Sequence, residues 1–171
     1  IMTDTREDAY ARQIADPKPY RCKRPAEHLE RLLFLCPHCG GRDTFSSSVD
    51  TVTCSACGHA FRYNQFGMLE GTDFETPQAF SDWQKARVEE DLATGVPYTA
   101  PEAALLPIDK HTETPLTRGP LSLTAEELRC GDFAVPMSEI SSLAMFGQRN
   151  LVFTAGKTYY PLTPANSNCL K

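Results

Sequence analysis

The sequence predicts an α+β chain that is mostly β, combining a four-cysteine ribbon, a linking helix and a small antiparallel β domain. Three observations carry this. Two Cys-x2-Cys pairs, Cys36-Pro37-His38-Cys39 and Cys54-Ser55-Ala56-Cys57, stand 14 residues apart. One helical stretch opens at Thr76-Pro77 and stops at Gly95. From Val96 onward, short apolar runs alternate with Pro, Gly and Asp. The expected organisation is a helical arm over 1–33, a ribbon over 34–66, an acidic linker and helix over 67–95, and a β domain over 96–171.

Residues 5–15 read as a helix with acids in its first turn and Asp16-Pro17 as its stop. Pro17 to Pro25 form a basic, proline-bounded arm whose cluster could meet an anionic surface, though a solvated linker is the simpler expectation. A short helix, Ala26 to Leu32, carries Leu29, Leu32 and Leu33 on one side. In the ribbon, Asp43 to Ser47 and Thr51 to Thr53 can pair across Ser48-Val49-Asp50, with His59 to Tyr63 as a third strand. So small a unit lacks a core of its own, so metal binding must supply much of its folding free energy. Thr76 caps the long helix, Pro77 fits its first position and Gly95 gives a left-handed stop. Glu89, Glu90 and Asp91 crowd its C-terminal end, where the dipole disfavours them; they mark either a basic partner or a solvated face.

The four thiols Cys36, Cys39, Cys54 and Cys57 are expected to hold one structural zinc ion. Each Cys-x2-Cys turn sets two sulfurs on the same side of one loop, and two loops close a tetrahedron. Gly40 and Gly58 let the backbone amides fold toward the thiolates. With four protein ligands there is no open position to activate water. His38 and His59 lie within the loops, and four thiols leave them outside the ligand set. Two disulfides are the competing expectation; paired metal spacing and a start without signal-peptide character argue for a reducing cytosol instead. Cys22, Cys130 and Cys169 are scattered and receive no role.

The net charge of −5 is carried by residues 67–95, since 1–33 sum to +1, 34–66 to zero and 96–171 to −1. In the ribbon Arg42 and Arg62 merely balance Asp43 and Asp50, which disfavours nucleic acid as a partner.

Seven short runs follow: Ala104 to Asp109, Leu121 to Leu123, Glu127 to Cys130, Phe133 to Val135, Leu143 to Phe146, Leu151 to Thr154 and Thr158 to Leu162. Gly119 to Thr124, Val135 to Ile140, Leu151-Val152-Phe153 and Tyr159 to Leu162 together resemble pleckstrin-homology-like and GRAM-like domains. That resemblance implies a closing C-terminal helix, of which Asn166 to Lys171 would be the truncated start.

Two catalytic look-alikes fail on context. His38 and Asp43 fit His-x4-Asp, but that base lies between two metal ligands. Ala155-Gly156-Lys157-Thr158 mimics the end of a phosphate loop, but the required first Gly is Leu151. No catalytic residue is expected.

Asp8 to Gln13, Ala26 to Leu33, the two Cys-x2-Cys pairs and Tyr63-Asn64-Gln65-Phe66-Gly67-Met68-Leu69 resemble the C-terminal extension of bacterial lysophospholipid (1-acylglycerol-3-phosphate) acyltransferases. The resemblance implies an upstream catalytic domain of phospholipid synthesis, of which residues 1–33 are the tail. It also implies a cytoplasmic protein, peripheral at the inner membrane face, with that domain, an acyl carrier or the membrane surface as partner. The family's Asn-His-x4-Asp motif has no counterpart here. A free-standing zinc-ribbon adaptor for protein or nucleic acid is the competing expectation. An enzyme with Cys22, Cys130 or Cys169 as nucleophile lacks any supporting base.

Overall fold

The computed structural model describes residues 8–106, 116–146 and 150–164. The chain is mostly β, with two antiparallel sheets, and it divides into two compact units, residues 1–85 and 86–171. The division falls within the long helix.

The first unit opens with α1 (Ala9–Ala15), capped by Asp8, whose Oδ1 accepts from the amides of Tyr10 at 2.9 Å and Ala11 at 3.1 Å. The expected first turn of that helix, residues 5–7, lies outside the described residues. The Tyr10 phenol is held well above its usual range, to about 12, by burial and by Tyr63 beside it. Next comes a 3-10 turn, Leu29–Arg31, in place of the short α-helix expected over Ala26 to Leu32. Of its three leucines, Leu33 is buried and Leu29 packs on the core, but Leu32 is 45% exposed.

The sheet of this unit runs β1 (Phe45–Ser48), β2 (Thr51–Cys54), β3 (Ala60–Tyr63), β4 (Leu69–Glu70), each paired with the next. The β1–β2 hairpin turns on Val49 and Asp50. β4 was not anticipated; two residues carry no readable alternation. Then α2 (Pro77–Ala93) begins where the Thr76 hydroxyl accepts the Ala79 amide at 3.0 Å. It ends with Gly95 at φ 80 and the Val96 amide bonded to Asp91 O at 2.8 Å. The expected cap and stop are both present.

The core here is larger than a ribbon alone provides. Phe45, Val52 and Phe61 from the sheet meet Ala26 and Leu33 from the lead-in, Leu69 from β4, and Phe80 from α2. Phe80 lies 4.5 Å from Phe74, 5.7 Å from Phe61 and 6.2 Å from Phe45, ring to ring. The expectation of a coreless ribbon fails because segments on both sides of it supply apolar side chains.

The second unit is one seven-stranded antiparallel sheet: β5 (Tyr98–Leu105), β6 (Thr117–Leu123), β7 (Glu127–Cys130), β8 (Phe133–Pro136), β9 (Ile140–Phe146), β10 (Asn150–Ala155) and β11 (Thr158–Pro164). Six of the seven expected runs lie on strands throughout; the first does so only at Ala104 and Leu105, since β5 begins earlier, at Tyr98, and stops before Leu106, and 107–109 are outside the described residues. Pro101 hid that start. A register shift between Ala100 and Ala103 accommodates it: Pro101 and Glu102 stand where the partner strand has Pro120, and neither proline has an N–H to offer a ladder. The spatial order is β8-β7-β6-β5-β11-β10-β9, so the first strand pairs with the last. Ala103, Leu105, Leu128, Cys130, Val135, Phe153 and Leu162 form its core. The C-terminal helix implied over 166–171 lies outside the described residues.

At the β7–β8 turn, Gly131 has φ 54, and a Cβ there would lie 2.6 Å from Thr117 Oγ1 and 3.1 Å from Arg118 O. Gly131→Ala should therefore destabilise this sheet by about 2–4 kcal/mol, from left-handed strain plus overpacking. Urea unfolding compared with the parent chain checks this; an unchanged midpoint would contradict it.

Among the described residues, no helix is long and apolar enough to cross a membrane. The acids at the end of α2 have internal uses. Asp91 is buried, ion-paired with Arg87 at 3.1 Å and accepting from the Tyr98 hydroxyl at 3.1 Å, while Glu90 pairs with Arg87 at 2.9 Å.

Candidate metal centre

The two Cys-x2-Cys loops are built alike. Cys36 follows Leu35, which bridges to Arg42, and Cys54 ends β2, so the first cysteine of each pair is anchored in extended chain. Each loop closes with the glycine amide returning to the first cysteine's carbonyl: Gly40 to Cys36 O and Gly58 to Cys54 O, both at 2.9 Å. Gly40 at φ 70 and Gly58 at φ 76 take the left-handed conformation these closures need. The first cysteine's sulfur accepts amides from inside its own loop, His38 and Cys39 for Cys36, Ala56 and Cys57 for Cys54. The second cysteine accepts one from beyond: Gly41 N–H donates to Cys39 Sγ at 3.4 Å, and the His59 amide to Cys57. Oriented amides of this kind stabilise thiolate charge.

The four sulfurs lie within 4.8 Å of one another. Cys36 and Cys57 are 3.8 Å apart, as are Cys39 and Cys54, and these are opposite edges of the set. Thiolates tetrahedral about a metal at about 2.3 Å have sulfur–sulfur edges of about 3.8 Å. The arrangement can hold one metal ion of the kind that takes four thiolates. Cys36 and Cys54 are buried, while Cys39 and Cys57 reach the surface.

Two contributors carried no signal in the sequence. The Thr44 hydroxyl lies 3.1 Å from Cys54 Sγ. Gln84, mid-helix in α2 and 2% exposed, accepts the amides of Phe34 at 2.7 Å and Leu35 at 3.0 Å and donates to Leu32 O at 3.3 Å. It thereby fixes the backbone entering Cys36.

Burial pushes the Cys36 thiol up to about 12 against the pull of its loop amides. Burial also opposes ionisation of Cys54, but the Thr44 hydroxyl and the Cys57 and Ala56 amides bring it down to about 6. At Cys57 the His59 amide favours the thiolate; burial and the Cys39 and Cys54 thiols outweigh it and raise the group. At neutral pH Cys36 and Cys57 thus hold protons that a metal must displace, whereas Cys54 does not. Metal affinity should therefore rise with pH through neutrality and fall as acid restores those protons. Competition with a chromophoric chelator across that range measures the slope; a flat profile would contradict thiolate ligation.

His38 and His59 lie outside the sulfur set, stacked on one another with ring centroids 5.6 Å apart and planes 6° from parallel. Asp43, the second half of the His-x4-Asp look-alike, is a left-handed turn residue at φ 56 whose amide bonds Phe34 O at 2.7 Å. Gly156 and Lys157 form the two-residue β10–β11 turn, so Ala155 to Thr158 lie in a hairpin. Cys130 is buried in the β core with its sulfur 3.6 Å from Ala103 O; Cys22 is exposed, and Cys169 lies outside the described residues. The chain matches no family model, no curated protein and no solved structure.

Proposed function

We propose that this chain is a zinc-bearing, non-catalytic module of a phospholipid-synthesis acyltransferase, in which acyl transfer to a lysophosphatidic acid belongs to a domain upstream of it. The observation that carries the zinc half is the sulfur set, with two opposite edges at 3.8 Å on amide-lined loops. Bound there, zinc supplies charge neutralisation and a cross-link rather than a reactive centre, because protein thiolates fill all four positions. Cys36 and Cys54 tie the loops into the sheet and its core, and Cys39 and Cys57 complete the set at the surface.

The acyltransferase half is supported by the resemblance of Asp8 to Gln13, Ala26 to Leu33, both Cys-x2-Cys pairs and Tyr63 to Leu69 to that family's C-terminal extension. In this reading the ribbon unit fixes the exit geometry of the catalytic domain, and the seven-stranded sheet offers a docking surface to that domain or to an acyl carrier. The setting is cytoplasmic, peripheral at the inner membrane face.

Two measurements test it. Elemental analysis of the purified chain should find one zinc per molecule; iron or no metal would refute the zinc site. Mass spectrometry of the native polypeptide should find peptides upstream of Ile1 containing Asn-His-x4-Asp. A native mass close to 19.0 kDa would refute the acyltransferase assignment and favour a free-standing adaptor.

A further inference from the structure

We infer that one face of the first unit, formed by residues 20–24 and the tip of the β1–β2 hairpin, docks on an anionic lipid surface. Pro17 to Pro25 contain Lys18, Arg21, Lys23 and Arg24 and no acid. The segment is exposed from 17 to 24, as its composition suggests, but it is not loose. The Tyr20 amide donates to Gln65 O at 2.7 Å and the Ala26 amide to Val49 O at 3.0 Å, so both ends of 20–26 are fixed to the ribbon. Lys18 pairs with Asp16 and Arg24 with Glu27, each at 2.9 Å. Arg21 and Lys23 are exposed and have no ion pair among the described residues.

Val49 beside them breaks a local rule. The first position of a two-residue hairpin turn at positive φ ordinarily takes Gly, Asn or Asp. Here a β-branched side chain stands at φ 56, where its Cβ is sterically disfavoured, and 51% of it remains exposed. Strain without compensating burial points to a use for the apolar tip outside the fold. Val49 lines one groove with Cys22, Lys23, Pro25 and Phe66, and Tyr20 is 59% exposed. Unpaired cations flanked by an aliphatic and an aromatic side chain suit the headgroup boundary, where phosphates meet the charges and the apolar groups leave water. A nucleic-acid strand fits less well: it needs a basic groove along which to track its backbone, and this groove is neutral, with Lys23 and Arg62 offset by Asp50 and Glu70.

This inference takes only its setting, a membrane face, from the function proposed above. The lipid test below and the search for upstream peptides fail independently of each other.

The test is co-sedimentation of the metal-loaded chain with vesicles of phosphatidylcholine alone and of an equal mixture with phosphatidylglycerol. Binding is expected to the mixed vesicles only, weakening as salt is added. Replacing Arg21 and Lys23 together by Gln should lower partitioning about 30-fold, one surface charge contributing about fivefold. Val49→Asn separates docking from folding: it should weaken lipid binding while raising the melting temperature, because Asn tolerates the left-handed turn. Absence of vesicle binding, equal binding to both vesicles, or variants that partition like the parent would overturn the inference. So would salt-sensitive binding to single-stranded RNA with indifference to lipid.

Discussion

Stripping the metal from the loaded chain with a strong chelator should unfold the ribbon unit. Structural zinc in small domains is worth about 10–16 kcal/mol of apparent folding free energy at neutral pH, comparable with or above the whole stability of a domain, about 5–15 kcal/mol. The core around Phe80 offsets part of the loss but not its cause, since Cys36 and Cys54 are themselves buried members of that cluster. Trp83, the single tryptophan, packs against Phe74 and Phe80, so its emission reports this core. A red shift and loss of the cooperative transition on chelation are expected, reversed by added zinc. The ligands should also rank. Cys36→Ser, which places a weaker ligand at a buried loop root, should cost more than Cys39→Ser at the exposed tip. Unchanged melting and metal content in Cys36→Ser would refute the site.

The second large effect is expected at Gln84. Its side-chain oxygen is the acceptor for two consecutive amides, Phe34 and Leu35, at the entrance to the first loop. Gln84→Met keeps the volume and removes the acceptor, leaving one buried and one part-buried amide without partners at about 1–3 kcal/mol each, or about 2–6 kcal/mol together. Urea unfolding followed by Trp83 measures the loss. Because Leu35 leads directly into Cys36, chelator competition should also show weaker metal retention. Lower stability with unchanged metal affinity would mean that Gln84 supports the core without positioning the loop.

Features written in a few neighbouring residues were legible in the sequence. The Cys-x2-Cys loops, the Thr76 cap, the Gly95 stop and the alternation of β6 through β11 are all local, so the sequence reading and the structure agree on them. What escaped depends on contacts across long separations. Gln84 is an ordinary residue for a polar helix, and only its bonds to residues about fifty positions earlier make it part of the site. Thr44 likewise gains its role only when β1 and β2 bring it to Cys54. The arm is exposed as its composition indicates, but its anchoring escaped notice because the ties to the ribbon are main-chain bonds, which leave no trace in side-chain identity. Pro101 read as a breaker because a bulge shared with a distant Pro120 is invisible from either residue alone.

The pairing of β5 with β11 also sets an order of events at the ribosome. In the first unit every strand pairs with its sequence neighbour, so the ribbon can close hairpin by hairpin and bring its four cysteines together while later residues are still being made. The other sheet has no such freedom. β5 emerges early yet keeps an unsatisfied flank until Leu162, Thr163 and Pro164 arrive to cover it. For that interval the nascent chain holds out a bare strand, and its safety rests on translation outpacing encounter with another chain.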